Sequence, residues 1–187
     1  TNVSDIIYEI EKCVYLAKNG RPGPCVIDLP DDIQRTETEL KDQKKFIPQN
    51  VKLILNFKKV DEAQKMIEQS KRPVFVIGNG VKISKSKKNI DKLLERTGIP
   101  FAPTWATFDM FKSEDPKNVG SFGVYATRYG NFSIYNADLL IILGSQLNPS
   151  LIGSSANFFA PNAKKILVDI DKAQLNDENK VKIDLKI

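Results

Sequence analysis

Three groups of small or acidic residues could perform chemistry in this chain, and each follows an apolar run that predicts a buried strand. The groups are Gly78-Asn79-Gly80, Gly144-Ser145-Gln146, and Asp169 with Asp171. Glycines allow backbone amides to approach a phosphate, and carboxylates at strand ends accept hydrogen bonds from ribose hydroxyls. The residue types and their positions therefore favour a nucleotide-type ligand at the carboxyl ends of the strands.

Each of these groups also has a purely structural interpretation. Gly78-Asn79-Gly80 lacks the third glycine of a GxGxxG fingerprint, so it does not predict a classical NAD site, and a tight turn explains it equally well. Asp169 and Asp171 are equally explained by hydrogen bonds to neighbouring amides. Trp105 lies in an aromatic loop and is more typical of a core or an interface than of a stacking platform.

Catalytic groups are scarce in this chain. It contains no histidine, which excludes a Ser-His-Asp triad and removes the commonest metal ligand. Cys13 and Cys25 do not form a CxxC pair, and their apolar surroundings predict buried, inert thiols in a reducing cytosol. No pair of carboxylates is divided between two different strand ends, as an acid and a base would be. We therefore predict no catalytic residue and no metal site here.

Composition excludes two further classes of partner. The net charge of +5 is spread as single lysines, without the concentrated basic stripe and aromatic platforms that nucleic-acid binding requires. No apolar run is long enough to span a membrane, and no signal peptide is visible. The sequence predicts a cytoplasmic protein that binds neither nucleic acid nor membrane.

The elements that position these groups follow an alternating pattern of strands and helices. The predicted strands are residues 74–77, 99–102, 139–143, 165–171 and, as an edge strand, 181–185. Continuous apolar strands separated by helices are typical of parallel β-α-β units with right-handed crossovers. The predicted fold class is α/β, with a doubly wound, mostly parallel Rossmann-like sheet of about six strands and helices on both faces.

The first thirty residues do not fit this pattern. A helical run ends at Asn19-Gly20, and a proline-rich turn leads to the apolar run Cys25-Val26-Ile27, which predicts a short buried strand. One helix and one strand cannot build a core alone. We expect residues 1–30 to be the end of a domain that starts outside this chain, residues 31–50 to be a linker, and residues 51–187 to form a second domain. An N-terminal arm that docks on that domain is the alternative.

Five motifs, in this order, resemble thiamine-diphosphate-dependent enzymes of the acetolactate synthase and pyruvate oxidase type. They are Gly20-Arg21-Pro22-Gly23-Pro24 with Ile27-Asp28-Leu29-Pro30, Arg72-Pro73-Val74 to Gly78-Asn79-Gly80-Val81, Gly98-Ile99-Pro100 with Thr104-Trp105, Asn136-Ala137-Asp138 with Leu143-Gly144-Ser145, and Val168-Asp169-Ile170-Asp171. The resemblance covers nearly the whole chain. It implies that residues 1–30 end the pyrimidine-binding domain and that residues 51–187 are the central domain.

The resemblance also implies the chemistry of a parent enzyme. Such an enzyme decarboxylates a 2-oxo acid such as pyruvate and passes the two-carbon unit to an acceptor, and its relatives are homo-oligomers, dimers or tetramers. Thiamine diphosphate and Mg²⁺ would be bound outside this chain, so we expect the chain alone to be inactive. The cofactor supplies the electron sink, while the protein supplies orientation and proton management.

In the synthase and oxidase branches of this family, the central domain holds FAD. The residues that match the family's flavin-contact regions are Gly78, Asn79, Gly80, Thr104, Trp105, Gly144, Ser145, Asp169 and Asp171. One departure is that Gln146 and Ser150 stand where typical acetolactate synthases carry arginines. Neither replacement is charged, so the affinity for FAD would be lower unless another cation such as Arg128 compensates, and the presence of FAD is left open.

Two other interpretations remain. In the first, the parent is an FAD-free 2-oxo acid decarboxylase whose central domain is a structural spacer with an empty crevice. The chain would otherwise be an independent nucleotide-binding module, an interpretation that the segment 1–30 disfavours because such a module has no use for it.

Overall fold

The computed structural model describes residues 2–48, 55–176 and 181–187. The chain divides into two compact units, Thr1–Ile54 and Leu55–Ile187. This division falls close to the boundary that the sequence predicts near residue 50, and the assignment of residues 1–30, 31–50 and 51–187 to particular domains stays a prediction.

The N-terminal unit is built around one long helix. A short 3-10 turn, Val3–Asp5, leads into α1 (Ile6–Lys18), and α2 (Asp31–Arg35) and a second 3-10 turn, Leu40–Asp42, follow. The segment after that turn folds back onto α1, since the Phe46 ring lies 5.6 Å from that of Tyr8 and 5.3 Å from that of Tyr15. The Phe46 amide also donates to the Glu11 carboxylate at 2.8 Å.

The predicted strand Cys25-Val26-Ile27 is wrong in this structure. Residues 22–30 have no regular secondary structure and belong to no sheet, and the side chain of Val26 is 93 % exposed. A strand needs a neighbouring strand for its backbone hydrogen bonds, and the described part of this unit contains none. The prediction of buried thiols is also wrong, because Cys25 is exposed and Cys13 is only partly buried.

The second unit contains a five-stranded parallel sheet in the order β2-β1-β3-β4-β5. The strands are β1 (Pro73–Ile77), β2 (Phe101–Pro103), β3 (Leu139–Leu143), β4 (Lys164–Val168) and β5 (Leu185–Lys186). The helices are α3 (Phe57–Gln69), α4 (Asn79–Ile83), α5 (Lys87–Thr97), α6 (Arg128–Asn136), α7 (Pro149–Ile152) and α8 (Lys172–Asn176), with 3-10 turns at Trp105–Met110 and Ala156–Phe158.

Both faces of this sheet are covered by helices. Because side chains alternate along β1, Phe75 and Ile77 join one core with residues of α3 and α5, while Val74 and Val76 join another with α6 and α7. The predicted α/β class, parallel sheet and helices on both faces are therefore confirmed. The described residues form five strands, against about six predicted, and the edge strand is shorter than residues 181–185.

Asp138 joins the amino ends of the neighbouring strands β1 and β3. Its carboxylate accepts hydrogen bonds from the amides of Lys71, at 2.7 Å, and Arg72, at 2.9 Å, just before β1. Partial burial acts to raise the pKa of Asp138, but these bonds and the Arg72 charge outweigh it and hold that pKa below its ordinary value. The carboxylate thus stabilises the pairing of β1 with β3.

Across the described residues, none of the helices combines the length and apolar character that a membrane crossing needs.

Candidate functional site

A cleft of about 320 Å³ lies at the carboxyl ends of β1, β2 and β3. Its described lining consists of Asn79, Thr104, Trp105, Ala106, Gly144, Ser145, Gln146, Asn148, Ser150 and Leu151. The three strands are neighbours and parallel, so their carboxyl ends meet at one edge of the sheet. The structure thereby brings together five residues that the sequence proposes as site residues: Asn79, Thr104, Trp105, Gly144 and Ser145.

The cleft adjoins the point where the strand order reverses. The chain moves from β1 outward to β2 and then returns to β3 on the other side of β1. In open parallel sheets of this order, such a switch point is where ligands bind, because the two connecting segments diverge to opposite faces. The position of the cleft therefore agrees with a ligand-binding role.

At the switch point itself, the loops after β1 and β3 are in direct backbone contact. The Gly78 amide donates to the Leu143 carbonyl at 2.9 Å, and the Gly80 amide donates to the Gly144 carbonyl at 2.8 Å. A Cβ atom on Gly78 would lie 2.3 Å from the Gly144 carbonyl oxygen. Gly78 and Gly80 thus allow one loop to approach the other, and their amides are already engaged within the protein. Their proposed contact with a ligand stays a prediction.

The segment after β2 is anchored to the end of β1 by two threonines. Thr104 donates its amide to the Ile77 carbonyl at 3.0 Å, and the Thr107 hydroxyl donates to that carbonyl at 2.8 Å. Thr107 is fully buried, and the sequence offers no signal for this role because its partner lies thirty residues earlier. The anchor positions Trp105, which is 44 % exposed and has its ring 6.0 Å from that of Tyr125.

Asp169 and Asp171 are not among the residues that line the cleft. The Asp169 carboxylate accepts a hydrogen bond from the Asp171 amide at 2.9 Å. The Asp171 carboxylate accepts one from Ala173, in the first turn of α8, also at 2.9 Å. Both acids therefore make the local bonds that the structural interpretation expects, and their proposed role toward a ribose stays a prediction.

The described lining of the cleft carries no charged side chain. Gln146 and Ser150 do lie there, and the Ser150 hydroxyl donates to the Asn148 side chain at 3.0 Å. Arg128 is not part of this lining, and Lys82 on α4 pairs with Asp109 at 2.5 Å. The amides of Gly78, Gly80 and Gly144 already donate to carbonyls of the protein, and the described lining includes no lysine or arginine. The lining therefore does not fit the diphosphate of FAD.

Asn148 is a cleft residue that the sequence interpretation did not propose. Its side chain accepts a hydrogen bond from the Leu151 amide at 3.2 Å, which caps the start of α7. An asparagine followed by a proline is a recognisable helix-start signal, and Pro149 follows it here. That signal could have located a helix, and with it a loop, directly after β3.

The donor set does not fit a metal ion either. Within residues 2–48, 55–176 and 181–187, no group of three or more histidine, cysteine or acidic side chains is arranged to hold one.

Comparisons with known proteins agree with the resemblance drawn from the motifs. The family model for the central domain of thiamine pyrophosphate enzymes matches residues 60–186. Acetolactate synthase isozyme 1 large subunit of Escherichia coli is 34 % identical over 160 residues, which cover 86 % of this chain and 28 % of that protein. The probable acetolactate synthase large subunit of Methanococcus aeolicus is 34 % identical over 179 residues, which cover 92 % of this chain and 29 % of that protein.

A plant relative shows a similar match. Acetolactate synthase 1, chloroplastic, of Zea mays is 30 % identical over 178 residues, covering 93 % of this chain and 27 % of that protein. The chain spans less than a third of the length of each of these relatives. The central-domain match covers more than half of the chain and agrees with the parallel sheet described above. The chain therefore belongs to the thiamine pyrophosphate enzyme family, and its residues 60–186 correspond to the family's central domain.

Proposed function

We propose that this chain supplies the central domain of an enzyme of the acetolactate synthase type. The parent enzyme would decarboxylate a 2-oxo acid such as pyruvate and transfer the two-carbon unit to an acceptor. The observation that carries the proposal is the central-domain match over residues 60–186, supported by relatives that are named acetolactate synthases. Thiamine diphosphate and Mg²⁺ would be bound by residues outside this chain.

The role of this chain in the parent is to position other parts and not to perform the chemistry. The described residues of its cleft include no carboxylate, lysine or histidine that could move a proton. Its contribution would be a rigid parallel sheet whose loops are locked by backbone contacts. By the same resemblance we propose a homo-oligomeric parent. A cytoplasmic location stays a prediction, since several relatives are named chloroplastic.

The coding region and its product test this proposal together. We expect the reading frame to extend beyond this chain and its full product to form acetolactate from pyruvate only when thiamine diphosphate is added. The 187-residue chain by itself should release no carbon dioxide from pyruvate with thiamine diphosphate and Mg²⁺. A reading frame confined to residues 1–187, or release by the short chain above a buffer blank, would contradict the proposal.

For the cleft, we propose the FAD-free alternative, in which the central domain acts as a spacer. The uncharged lining and the engaged amides of Gly78 and Gly80 support it. A hydrogen bond to a charged group contributes about 1.5–3 kcal/mol. An arginine in place of Gln146 or Ser150 would therefore tighten diphosphate binding by about 10-fold to 150-fold.

A flavin titration separates the two possibilities. We expect no saturable quenching of FAD fluorescence by the unchanged chain, and saturable quenching by Gln146→Arg. Gln64→Arg, on the remote helix α3, is the control for added charge. Saturable binding of FAD by the unchanged chain, equally strong in all three proteins, would favour the flavin-holding interpretation and would leave the family assignment untouched.

A further inference from the structure

A second cavity lies at the amino edge of the sheet, opposite the cleft. It has a volume of about 260 Å³, and its described lining comes from residues 156–165 and 181–184, around the starts of β4 and β5. All of these residues lie in the second unit and within the central-domain match. The described walls of the cavity therefore owe nothing to the N-terminal unit.

Lys165 is a buried cation in the wall of this cavity. The residue is only 6 % exposed, and its ammonium group donates to the carbonyls of Ala160, at 2.8 Å, and Ala163, at 2.9 Å. An ammonium group carries three hydrogens, and among the described residues it has no third acceptor. A buried charge is costly when its hydrogen bonds are incomplete, so an acceptor in the cavity would stabilise it.

The charged groups around the cavity leave it positive. Lys164 and Lys182 also line it, and both are exposed. Asp184 is the acidic residue of the described lining, and its carboxylate accepts a hydrogen bond from the backbone amide of Lys165 at 2.8 Å. Three lysines against one aspartate leave two positive charges without a negative partner in the described lining.

The pKa of Lys165 agrees with this imbalance. Burial lowers that pKa below its ordinary value, the charge of Asp184 raises it only in part, and the charge of Lys182 lowers it again. The described surroundings therefore do not fully compensate for the burial of the ammonium group. A negative charge placed in the cavity would oppose both lowering effects.

We propose that this cavity is a binding site for a phosphoryl group, supplied by inorganic phosphate or by a small phosphate ester. A phosphoryl dianion matches the two unpaired positive charges, and its oxygens would accept the remaining hydrogen of Lys165. Lysines bind phosphate as point charges, and the side-chain amides of Asn157 and Asn162, also in the lining, are further donors. The site is separate from the cleft and does not depend on the function proposed above.

Isothermal titration calorimetry of the full chain with inorganic phosphate, at low ionic strength and slightly above neutral pH, tests the proposal. The phosphoryl group is a dianion under these conditions. We expect saturable binding at a ratio of one to one. Glycerol 3-phosphate, titrated in the same way, distinguishes the sources. Tighter binding than that of phosphate assigns the site to phosphate esters, and no gain over phosphate assigns it to the free anion.

Single substitutions identify the groups that take part. We expect Lys165→Met to weaken phosphate binding by about tenfold or more, and Lys164→Gln and Lys182→Gln to weaken it by about threefold each. Lys92→Gln, at an exposed position on α5, is the control for a lost charge and should change the affinity by less than about twofold. Circular dichroism shows whether Lys165→Met is folded, and the two exposed positions carry the test if it is not.

Asp184→Asn should change the affinity in the opposite direction. The asparagine keeps an oxygen that can accept the Lys165 amide but removes the charge that repels an anion. We expect phosphate to bind about threefold more tightly, whereas Glu95→Gln, on α5, should leave the affinity unchanged. No saturable binding by the unchanged chain, equal weakening by Lys92→Gln and the cavity lysines, or equal affinities of Asp184→Asn and Glu95→Gln would overturn the proposal.

Discussion

Two mostly apolar segments of this protein differ in structure, although both are predicted as buried strands. Leu139–Leu143 becomes β3, between β1 and β4, and the side chains of Leu140 and Ile142 are fully buried. Residues 25–29 have no regular secondary structure and lie in no sheet, and Val26 is 93 % exposed. An apolar run becomes a strand only where neighbouring strands complete its hydrogen bonds and layers of side chains cover it. An apolar run by itself therefore predicts neither condition.

Glycines in the two regions differ in the same way. Gly78, at the end of β1, touches the backbone of the loop after β3, whereas no atom lies within 4 Å of a Cβ placed on Gly23. Neither residue has a positive φ, so backbone strain does not enter. The matched pair therefore isolates the effect of close packing.

Gly78→Val should have the largest effect of the changes considered. A Cβ there would lie 2.3 Å from the Gly144 carbonyl oxygen and 2.4 Å from the Ser145 Cα atom, and backbone atoms cannot move aside cheaply. We expect the free energy of unfolding to fall by about 3 kcal/mol or more, as for severe overpacking. Urea unfolding followed by Trp105 fluorescence, which reports on this unit, measures the loss.

Gly23→Val is the control, followed by circular dichroism because it lies in the other unit. Its side chain enters open space, so we expect a change within about 0.5 kcal/mol. If the two substitutions lower the free energy of unfolding equally, the close approach of the loops is not the reason for a glycine at position 78.

Asp138→Asn should lower the free energy of unfolding by an intermediate amount. It weakens the pairing of β1 with β3, which residues 25–29 have no counterpart for. The asparagine keeps the shape but loses the charge that accepts the amides of Lys71 and Arg72. Hydrogen bonds to a charged group contribute about 1.5–3 kcal/mol, and we expect a loss in that range by urea unfolding. Asp109→Asn, which removes an exposed pairing with Lys82, should cost less.

The same carboxylate predicts a pH dependence of definite sign. Because the pKa of Asp138 is lowered in the folded state, its stabilisation is complete above the ordinary carboxyl pKa and is lost as pH falls through the lowered value. Unfolding of the unchanged chain should therefore be more sensitive to acid than unfolding of Asp138→Asn. Parallel curves for the two proteins between neutral and acidic pH would contradict this assignment.

Much of the sheet could be predicted because its signals are local. The apolar runs of β1 and β3 are continuous and bounded, and the common edge of parallel strands explains why Asn79, Thr104 and Ser145 share a cleft. The rest depends on contacts that spacing does not encode. Thr107, for example, acts through the carbonyl of Ile77, which lies thirty residues earlier at the end of β1. The bond between Asp169 and Asp171 is local, and the sequence offers it as one of two interpretations.

Val26→Ala should have the smallest effect, and its comparison with Val76→Ala is the most direct test of the difference between the regions. The same two methyl groups are removed in each case, from a side chain that is 93 % exposed and from one that is 0 % exposed. We expect about 2 kcal/mol of destabilisation for Val76→Ala and less than about 0.5 kcal/mol for Val26→Ala, measured by urea unfolding with circular dichroism. An equal loss at both positions would mean that residues 25–29 are packed in solution, because only burial makes a methyl group costly to remove.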